Sequence, residues 1–498
     1  MERHPVPIMA TLKHFSLIAI YNPTLIISTG IKGFFMKKGP KIVVLGAGSY
    51  FFGKPVIYNT VTSPVLREGT LALVDPDSDI LKTTVRLAER AREATGSPLK
   101  IEAATDRKEV LKDADFVVLS FSFRNAYYRG IDTRTALKYG ITMCSSDTIG
   151  PGGIFRALRE IPEVLRVAAD VRNLAGDAWL INYINPSAVI GIALMRHAPQ
   201  VRSFALCDGN HLPYVNGHYL KMAEILPETF NNQDPVPPEI LSKADYRIAG
   251  VNHCTWLTHF TYDGRDVLPN VRHFLVKKAA EEYETAPSRK AKPRLNFNYA
   301  LQLFDLYGAY CTAPSHTKEY VPFFQGYGVT PVTPEPLIPF DCYNRAAEMA
   351  AAQEEVRKMA DGRTPIAEFL NNGCGEHATD VIESMWGNLK KEFFINGPNQ
   401  GAVTNLPDDA FLELRRTIDM NGFQALPYGE MPRGILGLTH QILDTHELTV
   451  EAALRCDRTL LLRALCTDPI VNNIGDARNI MNELLEAERC HLPQGWFE

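Results

Sequence analysis

The run KIVVLGAG, residues 41–48, sets an unbroken apolar stretch directly before a glycine turn. An apolar run without alternation reads as a strand covered on both faces. A glycine turn between such a strand and a helix is the phosphate-binding corner of a dinucleotide fold, because the bare backbone there turns its N–H groups toward a pyrophosphate. Gly46 and Gly48 keep the first two glycines of G-x-G-x-x-G, whereas Phe51 stands in place of the third and Gly53 comes two residues late. That departure removes the glycine used for helix–sheet packing and leaves the anion corner intact. The same rhythm continues downstream. TLALVDPD (70–77), KIEAATD (100–106) and DFVVLSFS (115–122) read as strands, a helix is expected near 53–63, DILKTTVRLAERAREATG (79–96) is an amphipathic helix stopped by Gly96, and RKEVLKDA is a short helix. Strands alternating with helices specify an α/β fold with a parallel sheet and right-handed crossovers. Asp75 ends the second strand, where an acid bonds ribose hydroxyls, although a turn aspartate before Pro76 fits the residues as well.

Further along, DAWLINYINPSAVIGIAL (177–194) and VRSFALCDGNH (201–211) are buried strands that stop at Asn185 and at Cys207-Asp208. Ligands bind outside the carboxyl ends of parallel strands, so these residues are expected to face one crevice. ADYRIAGVNHCTWLTHFTYDGRDV (244–267) reads as a β-ribbon turning at Asp263-Gly264, RKAKPR (289–294) as a loop, RAAEMAAAQEEVRKMADG (345–362) as a surface helix, and helices are expected to dominate from about residue 272. The resulting division is 39–212 as the Rossmann domain and 213–498 as a mixed, mainly helical α/β domain.

The chain has 498 residues and a formal net charge of -5, so no basic field invites nucleic acid. Its nine cysteines are spread singly, which is not a disulfide framework and fits a reducing, cytoplasmic setting. The apolar stretch HFSLIAIYNPTLIISTGIKGFF is broken by Asn22-Pro23 and Lys32, too often for a membrane span. MKKGPKIVVLGAG from Met36 reads as the natural start of such a fold, so residues 1–38 stand apart as an extension of uncertain order.

Residue type alone leaves the chemistry open. Cys207 and His253 are candidate metal ligands whose donor chemistry suits zinc better than harder ions, but a lone cysteine is as readily a small buried hydrophobe. His316, Glu319 and Tyr320 in APSHTKEYVPFF mix polar and aromatic groups as a pocket lining would. CSSDTIGPGGIFRALREIP (144–162) puts Asp147 and Thr148 before a glycine-rich helix start that offers backbone N–H groups.

Taken in order, KIVVLGAGSY, ATDRKEVLKDADFVVLSF, DTIGPGGIFRALREIP, INYINPSAVI, LCDGNH, GVNHCTWL, EYVPFF, GAVTNLPDDAFLE and ELTVEAALRCDRTLLLRALCTDPI resemble glycoside hydrolase family 4 from about Lys41 to Asp468. The resemblance implies a lactate or malate dehydrogenase-like N-terminal sheet and a glycosidase that departs from the usual two-carboxylate chemistry. It implies NAD⁺ and a divalent metal, usually Mn²⁺. Hydride leaves C3 of the sugar, a base removes the acidified C2 proton, the aglycone is eliminated, water adds and the hydride returns. Carried over by position, the nucleotide shell is Gly46, Ala47, Gly48 and Ser49 with Asp75, Asp106 and Ser120. The metal ligands are Cys207 and His253, and the substrate contacts Arg124, Asp147, Thr148, Asn185 and Asn252. Asp208 would be the general acid, and His316 with Tyr320 the base pair between which the residues do not decide. An α-glycoside is the expected substrate and a homodimer or homotetramer the expected assembly, with no nucleic-acid or membrane partner. The alternative is a dehydrogenase of a sugar or 2-hydroxy acid, which would leave Cys207 and His253 without a role.

Overall fold

The computed structural model describes residues 39–49, 53–285, 295–330, 337, 341–371 and 377–498, and only the backbone of residues 208, 285 and 341–344. Phe51, the 289–294 loop and the extension 1–38 lie outside the described residues.

The apolar runs become β1 (Lys41–Leu45), β2 (Thr70–Val74), β3 (Lys100–Ala104), β4 (Phe116–Leu119), β5 (Trp179–Asn182) and β6 (Arg202–Ala205). They pair in parallel in the order β3-β2-β1-β4-β5-β6, the doubly wound arrangement of a dinucleotide fold. Both faces are covered. Val43 and Leu45 point into one core with Val117 and Leu119, while Ile42 and Val44 point into another with Phe116 and Val118. This explains why the strands read as continuous apolar runs. The crossovers include α1 (Gly53–Thr62), α2 (Ser78–Thr95), α3 (Asn125–Lys138), α4 (Gly150–Leu174) and α5 (Ser187–His197). Asp77 caps α2 at its start and Gly96 ends it in the left-handed region. RKEVLKDA gives only a three-residue 3₁₀ turn, Arg107–Glu109, with the Asp106 carboxylate accepting the Lys108 N–H at its start.

The later half holds more strand than expected. β7 (Ala244–Val251), β8 (Cys254–Tyr262), β9 (Arg265–Asp266), β10 (Tyr310–Cys311), β11 (Glu392–Pro398), β12 (Phe411–Asp419) and β13 (Gly422–Ala425) extend the same sheet to thirteen strands. The order runs β10-β8-β7-β12-β11-β6, and Gly39–Glu498 forms one compact unit, so strands from before and after residue 212 share one sheet. The ribbon's main turn is Asn252-His253, and Asp263-Gly264 joins only β8 to the short β9.

The N-terminal half of α4 is buried on all sides, from Gly150 to Ile161. Charges on such a helix must be paired inside the protein. Arg159 meets Glu488 at 2.7 Å and Asp132 at 2.9 Å, with all three side chains at most 4% exposed. Glu488 follows the helix Ile474–Ala487, so this triad ties the C-terminal segment to α4. Asp468 accepts the Gly150 N–H at 2.8 Å and thereby caps α4 from the same segment.

Candidate active site

The glycine turn is tightly made. Gly46 has φ +87, and a Cβ there would lie 2.8 Å from the Phe121 nitrogen, so a side chain would be strained and obstructed. The Gly46 and Ala47 N–H groups both donate to the Val74 carbonyl. Asp75 holds the turn directly, accepting the Gly48 N–H on Oδ2 and the Asp77 N–H on Oδ1, both at 3.0 Å. The Ser120 hydroxyl donates to the Gly46 carbonyl at 3.0 Å, joining the end of β4 to the turn. Ala47, Gly48 and Ser49 also edge a cavity of about 510 Å³ shared with Lys54, Ile80 and Thr84. Asp106 stands apart from this group as an exposed turn cap.

The second group gathers around Asp147, which is 5% exposed. Its Oδ2 accepts from Arg129 at 2.7 Å, from Asn185 Nδ2 at 3.1 Å and from Arg156 at 3.4 Å, while Oδ1 accepts from Ser145 at 2.5 Å. Burial works to raise the Asp147 carboxyl, but the two guanidiniums outweigh it and hold the group well below the usual range. Glu160 accepts from Ser122 and from the Phe123 N–H, which fixes the loop leading to Arg124. Burial pushes its carboxyl up against the pull of Arg156. Arg124 itself is exposed, lies at φ 44 and stacks its guanidinium over Tyr127 at 4.9 Å.

His253 occupies the β7–β8 turn at φ 64. Its Nδ1 is buried without a hydrogen-bond partner, and burial followed by the neighbouring His316 lowers its pKa to about 3. A neutral imidazole with an unused nitrogen is suited to a metal. His316 stacks on it with ring centroids 4.1 Å apart and lies 3.4 Å from the Ser145 hydroxyl. Ligand atoms of Asp147, His253 and His316 all fall within 4.8 Å of one another. The lone pairs of Asp147 are already spent on two arginines, an asparagine and a serine, so His253 is the member whose donor is open.

Cys207 caps the 3₁₀ turn Asp208–Asn210 at the end of β6, half-buried, with its carbonyl facing His377 Nδ1 at 3.2 Å. It lies outside the Asp147–His253–His316 trio. The Asp208 side chain lies outside the described residues. Thr148 is buried one residue from Asp147. Asn252 is 2% exposed and turns its Nδ2 to Glu413 at 3.2 Å, so this amide faces the protein interior. Tyr320 is 1% exposed, donates to the Asn252 carbonyl at 3.1 Å, and is pushed well above the usual phenol range by burial. His316, by contrast, keeps its side chain 26% exposed.

Sequence reasoning passed over Arg129, Arg156, Glu160, Ser145 and Glu413. The signal for two of them was present: IFRALREIP sets charges inside an otherwise apolar helix. Arg129 carried no such mark.

The family 4 glycosyl hydrolase model matches residues 41–222, and the model of that family's C-terminal domain matches residues 248–471. The chain belongs to glycosyl hydrolase family 4 and is a glycosidase. It is 28% identical to an alpha-galactosidase of Bacillus subtilis over 91% of this chain and 99% of that protein. It is 27% identical to an alpha-galacturonidase of the same organism over 90% and 97%. Among solved structures, LplD of Bacillus subtilis superposes with a TM-score of 0.74 at 26% identity, covering 90% of this chain and all of that one. A 6-phospho-alpha-glucosidase from gut microorganisms in complex with NAD and Mn²⁺ gives 0.72 at 20% identity, over 92% and 99%.

Proposed function

We propose that this glycosidase hydrolyses α-linked glycosides with NAD⁺ as a recycled redox cofactor and with Mn²⁺ or a similar divalent metal. The observation that carries the reading is His253: a buried, neutral imidazole with an unpaired nitrogen, placed between an ionised carboxylate and a second, half-exposed histidine. A dehydrogenase of a simple 2-hydroxy acid leaves Cys207 and His253 without a role as a pair. The alpha-galactosidase and alpha-galacturonidase relatives support α-linkage.

The glycine turn 46–49, pinned by Asp75 and Ser120, would bind the pyrophosphate of NAD⁺. His253 and Cys207 would hold the metal, and Asn185, oriented by Asp147, would hold a sugar hydroxyl. When bound, the two groups supply reversible oxidation of the sugar and stabilisation of negative charge next to the oxidised carbon. His316 takes the C2 proton in this reading, because its ring is half-open while Tyr320 is buried and already donates to a carbonyl. Asp208 protonates the leaving oxygen by its position after Cys207. Arg124, exposed at the start of α3, meets an anionic group on the sugar if one is present.

No helix among the described residues is long and apolar enough to cross a membrane. Seven cysteines among the described residues are free thiols, which supports a reducing cytoplasm. A homodimer or homotetramer is the expected assembly, to be read by light scattering.

The test is hydrolysis of aryl α- and β-glycosides, uronides and their 6-phosphates by protein stripped of metal and nucleotide. Aglycone release that needs both Mn²⁺ and NAD⁺, without net NADH, is expected. Steady NADH formation without aglycone would turn the reading to a dehydrogenase.

A further inference from the structure

The two side chains read as metal ligands stand on separate loops. Cys207 follows β6, and His253 sits between β7 and β8. Glu413 of β12 joins these loops from below. It is 2% exposed, between the buried Leu412 and Leu414. Its Oε1 accepts from Asn210 Nδ2 at 2.5 Å, three residues after Cys207. Its Oε2 accepts from Asn252 Nδ2 at 3.2 Å, the residue before His253. Asn210 is itself locked, since its Oδ1 accepts the Tyr219 hydroxyl at 2.6 Å and its Nδ2 lies 3.3 Å from the hydroxyls of Thr255 and Thr312. The backbone repeats the connection. Asn396 of β11 pairs with Ala205 of β6 and with Glu413, and Glu413 pairs with Gly250 of β7.

A carboxyl buried inside a sheet is costly unless it is hydrogen-bonded. Here each oxygen serves one loop. We propose that Glu413 is a positioning residue that sets the separation of Cys207 and His253 and through it the affinity for the divalent metal. The proposal rests on the reading of those two residues as ligands. Hydrogen-bonded partners outside a metal's ligand set fix the ligands before the metal arrives, and their loss lowers affinity without touching a ligand. Replacing Glu413 by Gln keeps the shape but turns one of its oxygens into an amide donor facing another amide donor. The clash is relieved if a loop shifts or if the Asn252 amide turns its unpartnered Oδ1 to the new donor, and either change gives up a charge-assisted bond for a weaker neutral one and loosens the tether.

The test is Mn²⁺ binding to the whole protein, stripped by chelation and followed by calorimetry or by the EPR signal of free Mn²⁺, with NAD⁺ titrated in parallel. For Glu413→Gln, Mn²⁺ affinity is expected to fall by roughly 10–100-fold with NAD⁺ affinity essentially unchanged. Adding Asn210→Asp restores complementarity, because the amide introduced on β12 can donate to the carboxylate introduced after β6 while its oxygen still accepts from Asn252; Mn²⁺ affinity should return. Unchanged Mn²⁺ affinity in Glu413→Gln, an equal loss of both affinities, or no recovery in the double variant would overturn the proposal. If Glu413→Gln does not fold, Asn252→Ala removes one arm of the tether and carries the same comparison, with unchanged Mn²⁺ affinity again overturning it. Wild-type protein that binds no Mn²⁺ would instead remove the metal reading, and the tether with it.

Discussion

The buried triad of Arg159, Asp132 and Glu488 has one positive charge against two carboxyls. Ionising both would seal a net negative charge in the interior, so the cluster keeps a proton. Burial first, and then Asp132, push Glu488 well above the usual carboxyl range. An unfolded glutamate loses its proton near pH 4.3. Between that pH and the folded value, unfolding releases one proton, so stability falls as pH rises. The slope for one proton is about 1.4 kcal/mol per pH unit, and from pH 5 to 7 it amounts to roughly 2.7 kcal/mol if the folded value lies above that window. Glu488→Gln removes this contribution while keeping a side chain that accepts from Arg159 and can donate to Asp132. Arg159→Met instead leaves two acids without a cation and should cost about 3–5 kcal/mol. Asp468, raised to about 7 by burial, adds a slope of the same sign that neither variant touches, so the difference from wild type isolates the triad. The assay is urea unfolding at half-unit steps from pH 5 to 8. Glu488→Gln should be the least affected at pH 8 and have a visibly flatter profile. An unchanged slope, or equal damage from the two variants, would refute the account of the retained proton.

Asp147→Asn strips the counter-charge from Arg129 and Arg156, both buried, and should cost about 3–5 kcal/mol in the same unfolding assay; a loss below about 1 kcal/mol would mean that other acids neutralise them. Tyr320→Phe removes one hydrogen bond and should lower stability by about 1 kcal/mol with turnover largely retained, whereas His316→Ala should reduce turnover by about 10²–10⁴-fold and suppress deuterium wash-in at C2. The reverse pattern would make the tyrosine the base. Asp75→Ala releases the Gly48 N–H and should weaken NAD⁺ binding by at least about tenfold, or roughly 1.4 kcal/mol, in a fluorescence titration, with Mn²⁺ binding unaffected.

The parallel half of the fold was legible because burial on both faces leaves a local mark: its central strands are short apolar runs with a polar stop. β12 carries no such mark. Phe411–Asp419 alternates apolar and charged residues and includes the buried Glu413 and Arg416, so its place in the sheet depends on pairing with distant strands rather than on its own pattern. The expected turn at Asp263-Gly264 is present, but the one joining the two long strands was not legible, for a related reason. Asp263-Gly264 has the chemistry of a turn, whereas Asn252-His253 turns with a histidine at positive φ held by packing against His316. Likewise Asp75 was legible as an acid near the nucleotide turn, but not as the residue that pins it. Nothing short of coordinates brings Arg129, Arg156 and Asn185 to one carboxylate oxygen.

The ladder is not equally wide along its length. β6 meets β11 through one pair, Asn396 with Ala205, and β12 meets β7 through two, while β1 meets β2 through five. A ribbon held by many rungs on either side of a few will bend where the rungs are few. In the proposed reaction the oxidised sugar stays bound until its hydride is returned, so a shift at this junction would be felt beside the residues read as metal ligands. The narrow stretch is where Glu413 stands, and its two amide bonds act as cross-bracing across a seam that the backbone alone leaves weak.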